Sequence, residues 1–282
     1  MAAHGGSSTM GAVATTVDGV HVAFDVVGSG DPVVFVHGLG DERTTWAPIV
    51  ARLENRFTCV SLDLRGHGET TGAVDFDPFG LHRDLRCVVE TLRLSSPVVV
   101  GHSLGGFAVT AYAARHETRA VVNVDQPMDL RPLSGHLREL QTRLATEPLA
   151  PILLGILESI GLGALSQSAK ERLRTSRAKL ARETVLGIWR PLLERDGESL
   201  ERATTAMLRA VAVPYLSLHG NEPAPGYAEW LRHRAVRARC EVWPGTGHFL
   251  HLVEPDRFVD RLTRFLSSPH GEEEPGAAER AR

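Results

Sequence analysis

Apolar and polar positions follow two rhythms along this chain. "AVATTVDG" (12–19) and "HVAFDVVG" (21–28) alternate with period two, as an antiparallel hairpin at a sheet edge does. "PVVFVHG" (32–38) is a continuous apolar run, the pattern of a strand covered on both faces. In "TTWAPIVARLEN" (44–55), Trp46, Ile49, Val50 and Leu53 fall on one helical face. A strand "FTCVSLDL", a loop "RGHGETTGAVDFDP", a helix "FGLHRDLRCVVETLRL", a strand "PVVVG", a helix "LGGFAVTAYAARH" and a strand "AVVNVD" follow in turn. That alternation predicts an α/β fold with a mostly parallel sheet and helices on both faces.

After Asp125 the rhythm changes. From about Leu130 to Val211 the pattern is helical throughout, and then "VPYLSLHG", "GYAEWLRHRAV", "ARCEVWPG" and "EPDRFVDRLTRFLSS" restore the strand–helix alternation. The simplest organisation is one α/β domain, residues 13–129 and 209–268, interrupted by a helical insertion over 130–208. A leader (1–12) and a polar tail (269–282) are expected to be disordered. A chain of 282 residues suits one such domain and buries a core without staples.

Composition narrows the function classes. The net charge of −3 offers no basic surface for nucleic acid or an anionic membrane. Cys59, Cys87 and Cys240 are odd in number and widely spaced, so they read as small buried or half-buried hydrophobes and not as a disulfide framework or zinc site. The N-terminal stretch has neither the basic nor the apolar region of a signal peptide. The most apolar segment, 149–165, carries Glu158 and three glycines and is short for a bilayer span. The expectation is a cytoplasmic protein with a small-molecule substrate, no nucleic-acid partner and no membrane span. The pattern carries no signal of oligomeric state.

The chemistry centres on "VVVGHSLGG" (98–106). Ser103 stands between Gly101 and Gly105, with a buried strand before it and a helix after it, the setting of a nucleophile elbow. A turn tight enough to lift the hydroxyl above the sheet crowds neighbouring Cβ atoms, which the glycines remove. It also aims the Leu104 N–H, at the helix N-terminus, toward a developing oxyanion.

Together with "VVFVHGLG" (33–40), "LDLRGHGET" (62–70) and "GTGHFLHLVEPDRF" (245–258), this motif makes the chain resemble the α/β-hydrolase superfamily from about residue 13 to 268. The resemblance implies an α/β-hydrolase fold, a mostly parallel eight-stranded sheet with the insertion placed as a helical cap over Ser103. Its apolar stretch 151–165 would face a hydrophobic substrate group. Leu39 would give the second oxyanion N–H. His248 would be the general base, with His251 peripheral. His37, Asp63, Arg65 and His67 are expected to be structural. The acid departs from the common pattern, because no aspartate stands three residues after Gly220; Glu222 and Asp125 are both candidates. Gly38, Trp46, Phe107, Trp189 and Phe249 are expected pocket residues, and the arginine-rich stretch 170–190 reads as a solvated outer face.

No Walker loop, GxGxxG, HExxH or EF-hand pattern is present, so neither a metal nor an organic cofactor is implied. Serine at the elbow, where epoxide hydrolases and haloalkane dehalogenases of this fold use aspartate, argues against both. The resemblance implies a serine hydrolase for an ester, lactone or thioester with an apolar part. A carbon–carbon hydrolase or a cofactor-free, haloperoxidase-like perhydrolase uses the same residues. A catalytically weak ligand-binding protein of the same fold is the rival from another class.

Overall fold

The computed structural model describes residues 8–162 and 164–267. Its strands are β1 (Thr9–Thr15), β2 (His21–Gly28), β3 (Asp31–Val36), β4 (Phe57–Leu62), β5 (Val98–His102), β6 (Ala120–Val124), β7 (Tyr215–His219) and β8 (Ala238–Val242). They form one eight-stranded sheet in the order β1-β2-β4-β3-β5-β6-β7-β8. β1, β2 and β4 pair antiparallel and every other neighbour pair is parallel. The expected hairpin forms, with Val13 opposite Ala23, but β1 starts at Thr9 and so takes in residues 9–12 of the expected leader. The rest of that leader up to residue 7, and the tail 269–282, lie outside the described residues.

Twelve α-helices among the described residues complete the fold. They are α1 (Ala47–Leu53), α2 (His82–Thr91), α3 (Leu104–Ala113), α4 (Arg131–Glu139), α5 (Gln141–Thr146), α6 (Leu149–Ser159), α7 (Gln167–Ala178), α8 (Arg182–Glu194), α9 (Gly197–Ala210), α10 (Tyr227–Arg232), α11 (Leu250–Val253) and α12 (Pro255–Ser267). The continuous apolar run of β3 is explained by its two covered faces. Val33 and Phe35 pack with Trp46, Ile49 and Leu53 of the α1 region and Phe258 and Leu262 of α12. Val34 and Val36 point the other way, into a core with Leu85 and Val88 of α2 and Val109 of α3.

Two features of the topology position the site. After β3 the chain steps outward to β4, and from β5 it proceeds the other way, through β6 and β7 to β8. The reversal falls between adjacent β3 and β5, and a crevice opens at such a point beyond the carboxyl ends of the strands. The second feature is the run α4 to α9, which joins β6 to β7 without a strand among its described residues. The arginine-rich text that reads as one helical stretch breaks at residues 179–181 into α7 and α8. Ser166 caps α7 by accepting from the Ala169 N–H, and Ala181 enters α8 in extended conformation.

The loop after β4 is held by a buried ion pair. Arg65 Nη2 lies 2.6 Å from Asp84 Oδ1, and the Arg65 N–H donates to Asp84 Oδ2 at 2.9 Å. Both side chains are essentially sealed from solvent, at 1% and 0% exposure. No helix among the described residues is long and apolar enough to cross a membrane. Asp84→Ala strands the guanidinium without its main partner and is expected to lower unfolding free energy by about 3–5 kcal/mol in urea titrations. A loss under about 1 kcal/mol would show that water or another acid replaces Asp84.

Candidate active site

β5 enters α3 through one strained residue. Ser103 has φ 51° and ψ −121°, a backbone state that L residues rarely adopt. The corner closes only because side chains are missing around it. A Cβ on Gly101 would stand 2.1 Å from the Gly105 carbonyl oxygen, and one on Gly105 would stand 2.3 Å from that of Val36. The Ser103 N–H still reaches across the sheet to the Val124 carbonyl at 2.8 Å, extending the β5–β6 ladder by one step. The serine side chain remains partly exposed above the strand ends.

Asp125 occupies the equivalent place one strand over and is also left-handed, with φ 55°. Its N–H donates to the Leu218 carbonyl at 2.7 Å, which locks it to β7. Asp125 Oδ2 lies 2.6 Å from His248 Nδ1, and Oδ1 accepts from the Gly220 N–H at 3.0 Å. His219 Nδ1 stands 3.5 Å from Oδ1, while its Nε2 lies 2.8 Å from Ser217 Oγ. Burial alone would raise the Asp125 carboxyl; the bonds and charges of His219 and His248 outweigh it and hold the carboxyl well below the usual range. Asp125 is therefore ionised. With His248 Nδ1–H committed to it, Nε2 is the nitrogen able to accept a proton. Among the described residues no hydrogen bond joins Ser103 Oγ to His248.

The carboxylate beside His248 is thus that of Asp125. Glu222, the other candidate, lines the cavity and makes no bond to His248 among the described residues. His219 escaped notice in the sequence although it sits within "LSLHGNEP", the stretch searched for the acid. Its signal is its place as the last residue of β7, beside the end of β6.

A layer of rings supports His248 from below. His102 Nε2 donates to the His248 carbonyl at 3.0 Å, and its ring lies 4.6 Å from His248, 4.9 Å from Phe249 and 4.7 Å from His251, centroid to centroid. His251 in turn lies 4.6 Å from Trp46. This layer corrects two expected pocket residues. Trp46 is fully buried against Phe35, His251 and Phe258. Phe249 is buried among Leu157, Leu162, Leu165 and Leu173. Neither lines the cavity: Trp46 packs on His251, which packs on His102, and Phe249 packs into that leucine cluster. Gly38 is not a wall either: a Cβ there would meet His102 Nδ1 at 3.0 Å and Ser103 Cβ at 3.1 Å. Its bareness lets the loop after β3 close on the elbow and brings Leu39 beside Leu104. His37 fixes that loop, its Nδ1 on the Gly38 carbonyl at 2.8 Å and its Nε2 accepting from the Leu64 N–H at 3.0 Å.

Above Ser103 opens a cavity of about 410 Å³. Leu39, Leu104 and Phe107 line its floor, and α6 and α8 contribute Ile156, Ile188, Trp189 and Leu192. Asp125 and His248 share it. Arg177 of α7 is also there, against the expectation that its stretch is a solvated face. Neither the Leu39 N–H nor that of Leu104 has a protein acceptor among the described residues, and Leu104 opens α3, where the helix offers none. The arrangement can deliver a hydroxyl, a proton acceptor and two free N–H groups to one apolar chamber.

A model of the alpha/beta hydrolase family matches residues 33–261. The chain belongs to that family. It is 26% identical to an uncharacterised protein of Mycobacterium tuberculosis, covering 94% of this chain and 84% of that one. It is 26% identical to a non-heme haloperoxidase of Rhodococcus erythropolis, over 90% of this chain and 98% of that protein. An esterase from Exiguobacterium antarcticum superposes with a TM-score of 0.79 at 20% identity, covering 92% of this chain and all of that one, 100%. The chain is a hydrolase.

Two outcomes follow from this hydrolase's geometry. Asp125→Asn is expected to cut ester turnover on the order of 10³-fold, by losing the charge that orients His248, while Glu222→Gln stays within about threefold. Steady-state kinetics on a 4-nitrophenyl ester would expose a reversed ranking. The second outcome concerns stability. Burial pushes the His37 imidazole down to about 4, His67 and His251 to about 3, and His102 well below its ordinary value. Each stays neutral when folded and takes up a proton on unfolding once pH drops below about 6.5. Asp41 opposes them by one proton, since burial pushes its carboxyl up to about 6 and the folded state holds that proton. The contribution of these five groups is therefore intact at neutral pH and falls by roughly 3–4 kcal/mol per unit near pH 5. Denaturant melts between pH 7 and 5 measure it, and a flat profile would mean these imidazoles are not buried neutral.

Proposed function

We propose that this hydrolase cleaves a carboxylic ester, lactone or thioester with an apolar part through an acyl-enzyme on Ser103. The reading rests on one observation: Ser103, on its strained corner, shares an apolar cavity with a histidine whose Nδ1 is bonded to the ionised Asp125. His248 Nε2 takes the Ser103 proton as Oγ attacks the carbonyl carbon. The Leu39 and Leu104 N–H groups receive the charge that gathers on the carbonyl oxygen. The proton passes from His248 to the departing alkoxide or thiolate, and the acyl group stays on Oγ. Water, deprotonated by the same nitrogen, then releases the acid and restores the serine. The helices α4 to α9 act as a cap that keeps the apolar part of the substrate out of solvent.

A second reading draws on the likeness to a haloperoxidase over nine-tenths of the chain. If hydrogen peroxide replaces water as the acceptor, the same acyl-enzyme yields a peracid. No residue beyond those already named is needed, so the two activities would share Ser103.

A fluorophosphonate probe tests the common step. It is expected to label the protein at Ser103, with labelling abolished in Ser103→Ala and slowed at least 100-fold in His248→Ala. A folded protein that the probe leaves untouched would end the acyl-enzyme reading.

A further inference from the structure

One arginine of the cap is placed where an outer face would not put it. Arg177, in the last turn of α7, is only 5% exposed and lines the cavity that holds Ser103. Its stem lies on the loop after β3: a Cβ on Gly40 would stand 2.4 Å from Arg177 Cγ. Gly40 follows Leu39, so Arg177 leans on the segment that carries one of the two free N–H groups. Arg174 and Arg182 of the same helices are paired, whereas Arg172, like Arg177, has a buried Nε without a hydrogen bond. Arg174 meets Glu158 at 2.7 Å, and Arg182 bonds the carbonyls of Leu144 and Glu147. The Arg177 guanidinium has none of this. Its Nε is sealed from solvent without a hydrogen bond, and no described residue forms an ion pair or hydrogen bond with the side chain. Asp41 acts on it only through space: one oxygen of that buried carboxyl accepts from the Glu42 N–H, and the other is buried without a hydrogen bond. Burial pushes Arg177 down to about 10, still a cation at neutral pH.

A buried guanidinium without a direct counter-ion is costly, several kcal/mol, and is retained where something else supplies the anion. The remaining charges around the cavity fall on the other side of Ser103. Asp125, Asp129 and Glu222 follow β6 and β7, with Asp129 bonded to Arg131 at 2.8 Å. Arg177 stands over the loop after β3, and Ser103, at the end of β5, lies between the two sides. An anionic group is drawn to one side and repelled from the other, which fixes which way round a substrate enters. The planar fork of Arg177 matches one carboxylate, two oxygens to two N–H groups.

We propose that Arg177 docks a carboxylate on the non-reacting part of the substrate, so that this hydrolase acts on half-esters of dicarboxylic acids or equally carboxylated lactones and thioesters. The proposal rests on the acyl-enzyme reading for its chemistry but not for its binding step, and the test separates them. Glutarate binding to Ser103→Ala, measured by calorimetry at low salt, is expected to weaken at least tenfold when Arg177→Met is added, and less with Arg177→Lys. In the active protein, kcat/KM for 4-nitrophenyl hydrogen glutarate relative to its neutral methyl ester is expected to fall about 10- to 100-fold in Arg177→Met, mostly through KM. Arg177→Gln serves if the Met variant does not fold. Unchanged glutarate affinity in the neutral variants, or no glutarate binding before substitution, overturns the proposal. Arginine-dependent binding in a protein that turns over neither ester would uphold the docking site and overturn the acyl-enzyme.

Discussion

The whole site hangs on how closely α3 can approach the sheet. Two bare α-carbons, at Gly101 and Gly105, let the helix start against the strand it has just left and against the end of β3. Any side chain there would push α3 away by more than an ångström. The Leu104 N–H, which opens α3, would be carried away with it. The left-handed backbone of Ser103 is what this contact demands, and the packing of an almost wholly buried α3 between β5 and β6 holds it there.

The end of β6 repeats the device with hydrogen bonds in place of bare glycines. Asp125 is also left-handed, yet its N–H, both carboxylate oxygens and their partners on β7 and the His248 loop are all engaged. A short polar side chain tolerates that backbone state better than most. The strain is spread over contacts that each serve to aim His248. His102 completes the arrangement, since its bond to the His248 carbonyl ties the elbow to a loop 146 residues away in the chain.

What could be read from the sequence divides along a physical line. The strand–helix alternation and the corner at Ser103 were legible because glycine spacing and apolar period report local backbone needs. The choice between Asp125 and Glu222 was not legible. It depends on which strand end faces the histidine loop, and that is set by the β6–β7 ladder, a contact between segments some 95 residues apart. Trp46 and Phe249 misled for a related reason: an aromatic near a motif shows proximity along the chain but not depth below the cavity floor. Arg177 did leave a trace. It follows Leu173 by four residues and so shares its buried helical face, a register that the neighbouring arginines obscured.

The bond from Asp125 to the Gly220 N–H has a further meaning. Those two residues bracket the helices α4 to α9, and with the β6–β7 pairing they clamp the ends of that segment together. Asp125, the carboxylate bonded to His248, lies on the closed rim of that segment, not within it. Evolution or an engineer could thus exchange the whole helical module as a cassette, re-tailoring what the chamber admits, while the rim keeps its shape.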